Sequence, residues 1–360
     1  MRSSRVTQVL KLLVGINRPA FIWGAPGVGK SAIVRALGAE LERPVVDIRA
    51  PLLDPTDLRG IPAVVDGRAV WAPPSFLPAP GDAPGILFFD ELNAAPPLVQ
   101  ASLYQLVLDR RVGEYELPDG WAIIAAGNRA EDKAVVFRMP SALANRFAHL
   151  DFEPNFDDWA DWAGPAGVSP VVISFLGVRR ELLAPKLSES DGVSFATPRS
   201  WHLLSDAFKV IGNETGALEV YQGCVGKGAA IEFIEHSKRS LSLEAIERIL
   251  SEPEVAVLPA GAGDLWILVK HVAQRIGEPK VRAALSALLN RLGAEWGVRL
   301  ARDVLRVDPM LAFDEDIASF ARKHADVLVG VATKRSQKAG SAGSTANAER
   351  NTERNTGVKP

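Results

Sequence analysis

Eight consecutive residues, "GAPGVGKS" from Gly24 to Ser31, carry the pattern G-x-x-x-x-G-K-[ST]. Glycines at that spacing let backbone N–H groups turn inward around phosphate oxygens, and a helix that starts there adds its positive N-terminal end. The candidate phosphate-binding residues are Gly24, Ala25, Pro26, Gly27, Val28, Gly29, Lys30, Ser31 and Ala32. The Lys30 ammonium would reach the outer phosphates, and the Ser31 hydroxyl would ligate Mg²⁺. A metal on a triphosphate also calls for a carboxylate, and "ILFFDE" supplies Asp90 and Glu91. Asp90 is the candidate metal carboxylate, and Glu91 the candidate base that deprotonates an attacking water. The same acidic pair could instead cap the next helix, which would leave an all-apolar strand ending in two unpartnered charges.

Other reactive residue types show no productive spacing. The five histidines (His149, His202, His236, His271 and His324) are scattered and suggest no metal site. "GCVGKG" around Cys224 lacks the phosphate-loop spacing and lies in helical surroundings, so Cys224 reads as a packed residue. No G-x-S-x-G nucleophile motif is present.

The elements that position these residues follow from hydrophobic period. Val6, Val9, Leu10 and Leu13 predict a helix over about 4–15, and "AFIW" (20–23) a buried strand. Lys30 to Leu41 reads as a helix, and "PVVDIRA" (44–50) as a second strand. Within the Pro/Gly-rich stretch 51–85, "AVVDGRAVW" predicts a small hairpin. "GILFFD" (85–90) lacks alternation and is expected to be covered on both faces. A helix over 97–110, a strand "WAIIAAGN" (121–128), a short helix in "PSALANRF" and a strand "AHLDFEP" (148–154) complete the series. Strands alternating with helices imply an α/β fold with a parallel sheet between helical layers. From about 155 the patterns are helical only, and 331–360 is too polar to offset its ordering entropy and is expected to be disordered.

Bulk properties narrow the class. The chain has 360 residues, a formal net charge of −2 and one cysteine. It therefore lacks the broad basic field that attracts nucleic acid, and no intrachain disulfide is possible. No apolar stretch approaches the roughly 20 residues that span a bilayer, and the N-terminal segment reads as an amphipathic helix rather than a signal peptide. A cytoplasmic protein with no membrane partner is expected.

Taken in order, "GAPGVGKS", "DPTDLRGIP", "FFDELNAAPPLVQASLYQLVLDRRV" and "PSALANRF" resemble an AAA+ ATPase of the MoxR group, with its dynein-related AAA domain, over about residues 5–205. The resemblance implies a P-loop core with a five-stranded parallel sheet of order 5-1-4-3-2, spanning 1–154 with a hairpin insertion at about 58–80. An all-helical lid and C-terminal helical region would follow over 155–330. It also implies ATP and Mg²⁺ as ligands. Asn128, ending the buried strand, is similar to the family's sensor 1 residue, where an amide offers a donor and an acceptor at one point; on its own it could simply end the strand. Arg146, in "SALANRF", corresponds to an arginine finger that reaches the neighbouring subunit's site; on its own it could be a surface ion pair. Arg199, in "TPRSW", resembles the lid's sensor 2 arginine and also suits a helix start.

The resemblance further implies a homo-hexameric ring, a von Willebrand factor A domain partner and a protein target to be remodelled or matured. It places the hairpin insertion and the loop "RRVGEYELPDGW" on the pore side, where Trp71, Phe76 and Tyr115 either grip substrate or pack the hairpins. Two other functions fit the same motifs: a nucleic-acid-stimulated or restriction-type NTPase, which the neutral charge disfavours, and a nucleotide-gated scaffold with negligible turnover, which the intact Asp90–Glu91 pair disfavours.

Overall fold

The computed structural model describes residues 1–132, 136–185, 194–239 and 243–324; the expected tail, 331–360, lies outside them. Apolar runs dictate the central sheet. Ile86, Leu87, Phe88 and Phe89 are all fully buried, although strand geometry sends neighbouring side chains to opposite faces. Leu87 and Phe89 enter one hydrophobic cluster with Phe21, Ile123, Ala125, Val99 and Leu103. Ile86 and Phe88 enter another with Ile22, Ile124, Leu10, Val34 and Leu37. A run without alternation is what a strand with a core on each side requires.

The strands are β1 (Ala20–Trp23), β2 (Val45–Arg49), β3 (Ile61–Val65), β4 (Arg68–Ala72), β5 (Ile86–Asp90), β6 (Arg111–Val112), β7 (Tyr115–Glu116), β8 (Ala122–Gly127) and β9 (Ala148–Asp151). Five form a parallel sheet in the order β2-β5-β8-β1-β9. Counting only those five along the chain and reading from the β9 edge, this is the order 5-1-4-3-2. Helices α1 (Ser3–Gly15) and α2 (Lys30–Glu40) supply the buried faces of the second cluster. Beyond the short α3 (Pro55–Arg59), helix α4 (Pro97–Asp109) covers the other face with Val99, Leu103 and Leu106. α5 (Ser141–Ala144) is a single turn leading into β9.

After β9 the chain is helical. α6 (Phe156–Ala163), α7 (Pro170–Val178), α8 (Pro198–Ile211), α9 (Ala217–Val225) and α10 (Lys227–Arg239) come next. The chain divides into two compact units, Met1–Lys238 and Arg239 onward. The expected boundary at 154/155 is thus a change of secondary structure rather than of compact unit. Clustered aromatic rings of α7, α8, α9 and α10 (Phe175, Trp201, Phe208, Tyr221 and Phe233) pack within the first unit. The second unit contains α11 (Leu243–Ser251), α12 (Ala262–Gln274), α13 (Pro279–Arg291), α14 (Gly293–Val307) and α15 (Glu315–Lys323). Its core includes Leu268, Val272, Leu288, Leu300 and Val304.

The two predicted hairpins are present: β3 pairs antiparallel with β4, and β6 with β7. Their aromatics divide. Tyr115 is buried, and its hydroxyl donates to the Pro78 carbonyl oxygen at 2.9 Å; burial pushes its phenol up to about 12. Phe76 packs on the same core cluster as Tyr115. Trp71 stands on a hairpin whose strand residues are all exposed. Tyr115→Ala should therefore destabilise the fold by about 3–5 kcal/mol, the cost of deleting a large buried ring. Trp71→Ala should stay within about 0.5 kcal/mol of wild type. Urea midpoints at unchanged m-value test both, and a costly Trp71 variant would make that side chain a packing residue too.

Candidate nucleotide site

The loop between β1 and α2 owes its path to two glycines. Gly29 caps α2 in the left-handed region at φ 107°, which glycine adopts without steric cost. Gly27 (φ 75°) is closely approached as well, since a Cβ there would lie 2.8 Å from the Thr197 hydroxyl oxygen. α2 opens without a side-chain cap, so its first N–H groups keep their donors for a ligand.

Lys30 and Ser31, the first residues of α2, are both buried. The Lys30 ammonium donates to the Gly24 carbonyl oxygen (2.6 Å), the Ala25 carbonyl oxygen (3.0 Å) and Asn128 Oδ1 (2.8 Å). Burial lowers its pKa to about 8, against the opposing pull of Asp90, Asp132 and Glu91; Arg199 adds to the lowering. The Ser31 hydroxyl donates to Asp90 Oδ2 at 2.6 Å. Asp90 is only 3% exposed and also pairs with Arg49, whose Nη1 lies 2.8 Å from the same Oδ2. Register explains the pair, because Arg49 stands opposite Asp90 in the β2–β5 ladder. A hydroxyl and a carboxylate oxygen this close are hard donors of the kind Mg²⁺ takes alongside phosphate oxygens. The residues present therefore fit the implied metal.

Glu91 follows Asp90 in the left-handed region at φ 57°, a conformation uncommon for a residue with a Cβ and concentrated at functional sites. Half-buried, it bears on the Lys30 charge. Asn128, just past β8, is held through its backbone: Asn93 Nδ2 donates to its carbonyl oxygen (2.7 Å), and its N–H donates to Asn93 Oδ1 (3.2 Å). That clamp leaves the Asn128 side chain to meet Lys30.

Arg199 joins the site from the first turn of α8, where Thr197 and Ser200 form a reciprocal capping box. Its backbone N–H donates to the Gly27 carbonyl oxygen at 3.2 Å. A cavity of about 410 Å³ adjoins the loop, lined by Val28, Ala32, Phe152, Trp159, Trp162 and His202, with Thr7, Asn155, Asp158 and Arg199 among its polar members. Arg146 does not join the cluster. It is exposed two residues beyond α5, and its side chain makes no hydrogen bond or ion pair with another described residue.

The structure thus unites Lys30, Ser31, Asp90, Glu91 and Asn128, adds Arg199 at the rim, and leaves Arg146 apart. Arg49 and Asn93 are site residues that sequence reasoning missed. Asn93 sat in plain view in "DELN", while Arg49 becomes visible only through strand register.

Comparison with known proteins bears on this geometry. The AAA domain of the dynein-related subfamily matches residues 19–147. Protein MoxR of Paracoccus denitrificans is 30% identical over 295 residues, which cover 74% of this chain and 83% of that protein. The chain belongs to the MoxR-like group of AAA+ ATPases. A second Protein MoxR, from Methylorubrum extorquens, is 31% identical over 152 residues, covering 40% of this chain and 43% of that one. Among solved structures, a RuvB mutant of Thermotoga maritima aligns at TM-score 0.39 and 15% identity, covering 80% of this chain and 87% of that one. NtrX of Brucella abortus in complex with ADP aligns at TM-score 0.40 and 15% identity, covering 90% and 67%. No helix among the described residues of this MoxR-like chain is long and apolar enough to cross a membrane.

The lowered Lys30 pKa has a measurable consequence. Phosphate favours the charged amine, so above pH 8 nucleotide binding must take up a proton. Affinity at fixed free Mg²⁺ should be flat from pH 7 to about 8, then weaken toward roughly tenfold per unit. Titration calorimetry in buffers of different ionisation enthalpy checks the uptake, and no uptake at about pH 9 would refute the buried-amine account.

Proposed function

We propose that the protein hydrolyses ATP in a site completed by a second copy of the chain. The observation that carries this reading is the meeting of Lys30, Asn128, Ser31 and Asp90 at one end of the parallel sheet, with Glu91 next in sequence. In this reading the 24–31 backbone and Lys30 bind the phosphates. The aromatic-lined cavity takes the base and ribose, and Arg199 bears on the phosphates from α8. Ser31 and Asp90 would hold Mg²⁺, which when bound neutralises phosphate charge. Glu91 accepts a proton from the attacking water, and Asn128 orients that water from the position that Asn93 fixes. The exposure of Arg146 supports its supply to the site of a neighbouring copy as an arginine finger, and the family resemblance supports a hexameric ring.

The family resemblance also supports a von Willebrand factor A domain partner and a protein target that hydrolysis remodels or matures. The exposed β3–β4 hairpin, with Ile61, Val64 and Trp71 on it, supports contact with a polypeptide better than with nucleic acid.

Phosphate release from ATP and Mg²⁺ tests the reading directly. Glu91→Gln should lower turnover by about 10²–10⁴-fold, the usual contribution of a positioned base, while nucleotide affinity stays within a few-fold. Wild-type turnover in that variant would remove Glu91 from its role.

A further inference from the structure

The candidate finger sits on weak local structure. α5 is one turn long, has no side-chain cap and cannot hold itself as an isolated helix. Leu143 and Phe147 bury their side chains in the core cluster on either side of Arg146. A further tie is polar and comes from β9. His149 Nε2 lies 2.8 Å from the carbonyl oxygen of Ala144, the last residue of α5 and two before Arg146. On its other side the same ring receives a hydrogen bond from Trp23 Nε1 at 2.8 Å. An indole N–H can only donate, so His149 Nδ1 is the acceptor, and the proton of the neutral ring is on Nε2, where it is donated to Ala144. The two rings also lie nearly parallel, with an interplanar angle of 22° and centroids 6.0 Å apart.

The anchor at the other end is rigid. Trp23 ends β1, whose residues pair with β8 on one side and β9 on the other. The next residue is Gly24, whose carbonyl oxygen accepts from Lys30. One imidazole therefore joins the strand that starts the phosphate loop to the turn that carries Arg146. We infer that His149 is a positioning residue for Arg146: through Trp23 it ties the finger of each copy to that copy's own nucleotide sheet, and so sets where the guanidinium enters the neighbour's site. This rests on the reading of Arg146 as a finger supplied between copies. A finger displaced by about 1 Å can cost up to roughly 100-fold in rate, so a single orienting ring has a large lever.

The test mixes two full-length variants. Glu91→Gln copies keep the finger and lack the base; Arg146→Ala copies keep the base and lack the finger. Each alone should be nearly inactive, and an equimolar mixture should recover turnover at sites where an Arg146→Ala copy is served by a Glu91→Gln neighbour. Adding His149→Phe, which keeps an aromatic ring, to the Glu91→Gln copies should reduce the recovered rate by roughly 10- to 100-fold. Adding it to the Arg146→Ala copies should leave the rate within about twofold, because their own finger is already gone. A purely structural role would depress both placements alike, and equal loss, or loss confined to the Arg146→Ala copies, would overturn the inference. Trp23→Phe, which removes the indole donor while keeping an aromatic ring, should repeat the asymmetry and decides the matter if His149→Phe copies do not fold. No recovery in the parent mixture would overturn the shared-site reading itself, and this inference with it.

Discussion

An ammonium and a carboxylate taken out of water must find partners, and that requirement organises the phosphate end of this molecule. Lys30 and Asp90 are 7% and 3% exposed. Lys30 meets the requirement with two carbonyl oxygens of its own loop and the amide of Asn128. Asp90 meets it with the Ser31 hydroxyl and the Arg49 guanidinium on one oxygen, and the Glu91 N–H on the other. Every one of these partners comes from the loop, from the first turn of α2, from a strand end, or from the residue just past one. The polar cluster is thereby assembled at the carboxyl edge of the sheet, where open α/β folds bind their ligands.

That edge exists because the sheet is gripped from both sides. Alternate residues of β5 enter different cores, and β1 and β8 divide in the same way. A sheet so enclosed positions its strand ends by packing, while the loops beyond them stay free to carry polar groups. The left-handed backbone of Glu91 and the Asn93–Asn128 clamp lie at this frontier. They turn two strand ends into defined positions for side chains. Asn93 does so twice over, since its Oδ1 also lies where a Cβ on Gly127 would fall.

The region following the sheet contributes differently. α8 reaches the site through its capped first turn, where Thr197 crowds Gly27 and Arg199 bonds to that glycine's carbonyl oxygen. A helix start offers fixed backbone, and from it Arg199 stands exposed. The exposed hairpin β3–β4 is the opposite case: both its strands are apolar in composition and unburied. Its neighbour in the other hairpin, Tyr115, has gone into the core.

Much of this was legible beforehand, for a physical reason. The phosphate loop, the acidic pair and the buried strands are local: a glycine pattern, an apolar run and the residues at its end declare themselves within ten positions. The two parallel-sheet faces could be inferred from missing alternation in "ILFF" and "AIIAA". Arg49 could not, because its role depends on which strand lies beside β5 and in what register. Nor could the fate of Tyr115, the clamp of Asn93 on Asn128, or the bridge from Trp23 through His149 to Ala144, whose hydrogen bonds join residues from 5 to 126 positions apart. The chain's own letters determined which groups do chemistry and on what kind of element they stand. Only tertiary structure decided which of them share a desolvated site, because burial and hydrogen-bond pairing depend on distance in space.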